Sequence, residues 1–154
     1  MKRFLAIFAA VANLVLVDAV AKELASGFLK DRSPVQVLPG LFNLAYVENR
    51  GCAWGMFQGS VWPLATFAAV VLAVLVWKRR SVFGEGRVAL AAECLLYAGI
   101  VGNLIDRVFR GFVIDFLDFH WGASHFPCFN VADICITTSV GLLLLLSFRK
   151  EERK

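Results

Sequence analysis

Val61-Trp-Pro-Leu-Ala-Thr-Phe-Ala-Ala-Val-Val-Leu-Ala-Val-Leu-Val-Trp77 runs for seventeen residues without a charge, with Trp62 and Trp77 at its ends. At about 1.5 Å per helical residue, such a run nearly matches a hydrocarbon core about 30 Å thick. Tryptophan at both ends suits the headgroup level on either side. Three other stretches have the same reach. Phe4–Val20 carries Asp18 near its far end, Val88–Ile105 carries Glu93, and Val131–Phe148 carries Asp133 just inside its start. Each spans 17 or 18 residues.

Working outward, 59% of the 154 residues are apolar, against roughly 45–50% in soluble domains, and only 18% are charged. These figures exclude a disordered chain, a nucleic-acid-binding arm and an ordinary water-soluble domain. The net charge of +4 comes mostly from short basic clusters between apolar runs, which a membrane explains better than an acidic partner does. Four scattered cysteines without a CxxC pair argue against a disulfide scaffold and against zinc. The fold class expected is an all-α integral membrane protein, a bundle of four transmembrane helices at about 4–20, 61–77, 88–105 and 131–148.

Lys2 and Arg3 before an apolar run also describe a signal peptide, and Ala19-Val-Ala21 fits its small-residue pattern superficially. The segment continues through Asp18-Ala-Val-Ala-Lys22, so we read it as a retained helix. Met1–Arg3, Lys78–Arg87 and Arg149–Lys154 hold ten basic residues in 19 positions, whereas Lys22–Ser60 and Asp106–Asn130 hold six in 64. The positive-inside rule then places both termini and loop 78–87 in the cytoplasm, and loops 22–60 and 106–130 outside.

The outer loops concentrate the polar chemistry. Leu41–Val47 reads as a strand after a Pro39-Gly40 turn. Glu48-Asn-Arg-Gly-Cys-Ala-Trp-Gly55 follows, and the loop Asn49–Phe57, with its glycines and aromatics, suits a clamp. In Gly111-Phe-Val-Ile-Asp-Phe-Leu-Asp-Phe-His-Trp121, carboxylates alternate with large apolar side chains, which suggests a segment at the lipid–water boundary.

Each ionisable residue has a plain structural reading. Asn130 and Asp133 fit a helix cap, an Asn at N-cap with an acidic residue at N3. Asp115 alone is a solvated loop carboxylate. Brought to one membrane face, however, the two would repel each other in a low dielectric, and one would hold a proton near neutrality. That is what an aspartyl protease requires: one carboxylate deprotonates water, and the other, protonated, polarises the scissile carbonyl. Asp18 and Lys22, four apart, read as a boundary ion pair. Asp106-Arg107 reads as a local charge cluster, with Arg107 alternatively ordering a loop. Glu93 is expected to snorkel toward Arg87 or its neighbours, without a role in the chemistry. His120 and His125 lack companions at metal-binding spacing. A serine or cysteine peptidase finds no pairing at matching depth, Cys128 near His125 being the nearest approach. A channel would need a polar path at mid-depth, and Val61–Trp77 offers only Thr66.

These segments together resemble one family, lipoprotein signal peptidase (signal peptidase II), over essentially the whole chain. The matches are Asp18-Ala-Val-Ala-Lys22, Asn49-Arg-Gly-Cys-Ala-Trp-Gly55, Gly102-Asn-Leu-Ile-Asp-Arg107 with Gly111-Phe-Val-Ile-Asp-Phe116, and Phe129-Asn-Val-Ala-Asp133. The resemblance implies an aspartic endopeptidase of the bacterial inner membrane. It would remove signal peptides from prolipoproteins by cutting before a diacylglyceryl-modified cysteine, on the extracytoplasmic side. It implies no cofactor, no metal and no nucleic acid, membrane lipids as partners, and a monomer. The catalytic pair would be Asp115 and Asp133, supported by Asn49, Gly51, Asn103, Arg107, Asn130 and Asp18. It further implies a small extracytoplasmic β-sheet and a short interfacial helix beside the four spans. The family's Asn-x-Gly segment usually continues with two alanines and a phenylalanine, whereas this chain has Cys52-Ala53-Trp54, which bears on the shape of the substrate groove. Cys52 and Cys128 share the outer side, which leaves a disulfide between them open.

Overall fold

A computed structural model describes residues 2–52 and 56–151. The elements in chain order are α1 (Lys2–Leu29), β1 (Val35–Leu38), β2 (Phe42–Asn49), α2 (Val61–Trp77), α3 (Arg79–Phe83), α4 (Arg87–Arg110), β3 (Val113–Trp121), β4 (Ser124–His125) and α5 (Val131–Glu151). Three helices, α1, α4 and α5, are long and apolar enough to cross a membrane, and α2 is a shorter apolar helix. Among the described residues the short helix is α3, between α2 and α4.

α4 is the central post on which α1, α2 and α5 all pack. It buries Ala92, Cys94, Leu96 and Tyr97 against Ile7 of α1 and Phe83 of α3. The outer helices turn large apolar side chains outward, among them Phe8, Phe67 and Leu145. Lipid tails are as apolar as leucine, so this exposure costs nothing in a bilayer, and close van der Waals packing of small residues must hold the helices instead. Gly99 and Gly102 supply it. A Cβ on Gly99 would run into the Ala132 carbonyl, and one on Gly102 would lie 2.7 Å from Asp18 Oδ2. Gly102→Ala should therefore lower thermal stability by about 1–3 kcal/mol, as overpacked sites do. An unchanged melting temperature in detergent would refute that close contact.

Two helices outrun their apolar stretches. α1 continues past Val20 to Leu29 and α4 past Ile105 to Arg110. Two of the polar residues in these extensions, Lys22 and Asp106, are buried and paired with each other at 2.9 Å, so hydropathy falls while the helix goes on. α4 stops where Gly111 takes the left-handed conformation at φ 77°, which a residue with a side chain resists.

The sheet is antiparallel in the order β1-β2-β3-β4. The expected strand at Leu41–Val47 is β2, following the turn at Pro39-Gly40. The alternation in Gly111–Trp121 is a strand's two-residue period. Ile114 and Phe116 of β3 pack on Ala25 and Leu29 of α1, which puts Asp115 on the opposite face. β2 pairs with β3 in a register that sets Val47 across from Asp115 and Asn49 across from Val113. Phe129, just before α5, is stitched to β3 by hydrogen bonds from the Phe116 and Leu117 N–H groups to its carbonyl, 3.0 and 2.9 Å.

At the other end of the bundle Glu93 is almost wholly buried, and its partner is Arg79 rather than Arg87. Arg79 donates Nε and Nη2 to its two oxygens at 2.6 and 2.8 Å. Arg3 stands 3.7 Å away. α3 folds Arg79 back over α4, and the forked geometry of guanidinium on carboxylate then favours it.

Candidate active site

Asn130 and Asp133 form the reciprocal cap that their spacing predicts. The Asp133 N–H donates to Asn130 Oδ1 at 3.0 Å, and the Asn130 N–H donates to Asp133 Oδ2 at 3.2 Å. The same two side chains are also wired into a larger array. Asn130 Nδ2 donates to Asp115 Oδ1 at 2.7 Å, and Asn103 Nδ2 of α4 donates to Asp133 Oδ1 at 2.8 Å. Asn49, at the end of β2, donates Nδ2 to Asp115 Oδ2 at 2.9 Å. Capping and the joining of two carboxylates are thus one arrangement.

Asp115 and Asp133 both line a cavity of about 470 Å³, together with Asn49, Asn103, Arg107 and the apolar Val113, Ile134 and Ile136. A neighbouring cavity shares Asn49 and Asp115 and extends toward Glu48, Asp118 and His125. Burial lifts the Asp115 carboxyl well above the ordinary range, Asn49's donated bond draws it back, and the charge of Asp133 lifts it again. The Asn130 donor and Lys22 pull the other way, and the balance lies at about 7.

Behind the carboxylates stands Lys22, well inside the bundle rather than at its boundary. Its ammonium is buried, pairing with Asp18 at 2.8 Å and Asp106 at 2.9 Å and donating to Asn103 Oδ1 at 3.0 Å. Asp18 does not line the cavity. Its Oδ1 accepts the Ala132 N–H at 2.8 Å, fixing the first turn of α5 to α1. Asp106 also pairs with Arg110 at 2.9 Å and accepts the Ile114 N–H at 3.3 Å. The Asp106-Arg107 cluster therefore divides: Asp106 turns into the ion network, and Arg107 reaches a loop.

Arg107 Nη2 donates to the Gly51 carbonyl at 3.0 Å, and the Gly51 N–H donates to Asn49 Oδ1 at 2.9 Å. A Cβ on Gly51 would strike the Met56 carbonyl, so the turn needs glycine there. Trp54 and the rest of Ala53–Gly55 lie outside the described residues. Cys52 and Cys128 both line the cavity and both are free thiols. Burial pushes the Cys128 thiol up to about 12, and His125 Nδ1 pairs with Asp118 Oδ1 at 2.8 Å instead. A cysteine–histidine nucleophile is therefore poorly served here.

The structure thus gathers Asn49, Asn103, Arg107, Asp115 and Asp133 around one space, with Asn130 and Gly51 bonded to them and Asp18 one layer behind. Lys22 and Asp106 were missed as members of the array. The four-residue spacing of Asp18 and Lys22 was the available signal, but it could not reveal partners on α4.

A family model described as signal peptidase (SPase) II matches residues 10–149. A protein of Symbiobacterium thermophilum named lipoprotein signal peptidase is 41% identical over 131 residues, covering 85% of this chain and 86% of its own. One of the same name from Geobacter sulfurreducens is 37% identical over 150 residues, covering 92% and 94%. A solved bacterial membrane enzyme superposes with a TM-score of 0.84 at 29% identity, over 97% of this chain and 91% of that one.

Proposed function

Because this chain belongs to the signal peptidase II family, the lipoprotein signal peptidases that cleave signal peptides from prolipoproteins, we propose that its chemistry is aspartic, with Asp115 and Asp133 as the catalytic pair. The observation that carries this reading is the convergence of two carboxylates from β3 and α5 on one cavity, tied together by Asn130. At neutral pH the pair shares one proton. The ionised carboxylate takes a proton from a water that attacks the scissile carbonyl, and the protonated one donates a hydrogen bond to the carbonyl oxygen. Collapse of the tetrahedral intermediate breaks the C–N bond, and that proton goes to the leaving nitrogen. Asn49, Asn103 and Asn130 orient the carboxylates, Arg107 and Gly51 hold the loop over the cavity, and Asp18 anchors the first turn of α5.

In this reading α2 is a fourth span beside α1, α4 and α5. Both termini lie in the cytoplasm, the site faces outward at the inner membrane, and a short interfacial helix completes the fold. The monomer meets its substrate from the lipid. Acyl chains of the diacylglyceryl-modified cysteine remain among the helices, each buried methylene contributing about 0.8 kcal/mol. No cofactor and no metal take part. A gel-shift assay comparing lipidated and unlipidated forms of one prolipoprotein tests the reading. The unlipidated form should be cut at least about a hundredfold more slowly, as the loss of a few methylenes implies. Equal cleavage of both would remove the lipid from the mechanism.

A pH profile supplies a second test. Asp115 stays protonated until about pH 7. Raising the pH through that value ionises it beside Asp133 and removes the shared proton. Cleavage should therefore fall on the alkaline side with an apparent midpoint near 7, which reports the pair. A rate that stays flat into the alkaline range would contradict the shared-proton step.

A further inference from the structure

On the side away from the carboxylates, a second apolar groove of about 380 Å³ runs between α1 and α2 with α4 as its floor. Phe4, Val11 and Val15 form one wall, Leu72 and Val76 the other, and Val101 lies beneath. From Phe4 to Val15 the groove follows α1 for about 16 Å at 1.5 Å per residue, close to one leaflet of a hydrocarbon core about 30 Å thick. Its charged end carries two guanidinium groups over one carboxylate. Arg79 is spent on Glu93 in a forked pair, whereas Arg3, 42% exposed, stands 3.7 Å from the same acid. One positive charge is left over at the mouth, on the basic side of the bundle.

We propose that this groove holds a single anionic phospholipid of the cytoplasmic leaflet, with an acyl chain between α1 and α2 and its phosphate on Arg3. Water has no partners along such walls, so a hydrocarbon chain fills them. Charge decides the headgroup: Arg3 carries donors that Glu93 does not engage closely, guanidinium pairs with phosphate through two parallel bonds, and only a headgroup without its own cation leaves that phosphate's charge for Arg3 to neutralise. The cytoplasmic surface is where anionic lipid is enriched. This inference rests on the membrane orientation proposed above and is independent of the peptide chemistry.

The test is native mass spectrometry of the detergent-purified protein titrated with dioleoylphosphatidylglycerol or with dioleoylphosphatidylcholine, which needs no prolipoprotein. The wild type should retain one anionic lipid with a preference of about fivefold over the zwitterionic one, as a single cation near a membrane surface implies. Arg3→Gln, at an exposed helix end, should abolish that preference. Val11→Trp, filling the groove and sparing its charges, should reduce retention of both lipids. Equal retention of the two lipids by the wild type, or a preference that survives Arg3→Gln, would overturn the assignment. So would a lipid-free dimer lost in Val11→Trp, which would give the groove to a second copy of this chain.

Discussion

Asp115→Asn and Asp133→Asn are each expected to lower cleavage of a lipidated prolipoprotein by at least about 10³-fold, the scale of a lost acid–base group. Each change keeps the shape of the side chain and removes its capacity to exchange a proton. Asn at 133 can still accept through one oxygen, and the backbone half of the cap, from the 133 N–H to Asn130 Oδ1, is untouched. Asn at 115 can accept from only one of Asn49 and Asn130, and Asn at 133 from only one of Asn103 Nδ2 and the Asn130 N–H, so each variant should also lose about 0.5–1.5 kcal/mol of stability. Thermal unfolding in detergent beside a gel-shift assay separates the two effects. Retention of a tenth of wild-type turnover by either folded variant would sink the aspartic reading.

Lys22→Met should be the most destabilising single change in the network, by about 3–5 kcal/mol, because it strands buried carboxylates without their cation. For a chain of this length that corresponds to a fall of roughly 10 °C or more in melting temperature. Adding Asp18→Asn should recover part of the loss, since Asp106 keeps Arg110 as a partner. Asp18→Asn alone should reduce yield and stability more than turnover per folded molecule. A wild-type melting temperature for Lys22→Met would show that the buried ion array contributes nothing to holding α1, α4 and α5 together.

Much of the fold was legible because hydropathy and short-range spacing are properties of neighbouring residues. The uncharged run Val61–Trp77 is a helix over the same residues. The Pro-Gly turn and the strand after it are where expected, and Asn130 and Asp133 close the cap their spacing announces. The alternation in Gly111–Trp121 was visible too, but period two belongs equally to a strand and to a segment floating at an interface. Only the partner strand β2, 66 residues from Asp115 at Asn49, settles which. Lys22 read as a boundary cation because hydropathy falls there, although its charge is met inside the bundle by two acids. Proximity in sequence pairs Glu93 with Arg87, whereas a turn of helix at Arg79–Phe83 brings Arg79 to it in space.

By itself, the order of residues determined that this protein lives in a bilayer, which family it resembles and which carboxylates merit suspicion, since transfer free energies and local hydrogen bonds add up along the chain. The meeting of Asp115 with Asp133, and the burial of Lys22 beneath them, were decided by the tertiary structure. Those contacts depend on β2 pairing with β3 and on Gly102 letting α4 approach Asp18 of α1 and Ala132 of α5. A long-range approach of this kind is set by the packing of whole elements, which no window of neighbouring side chains encodes.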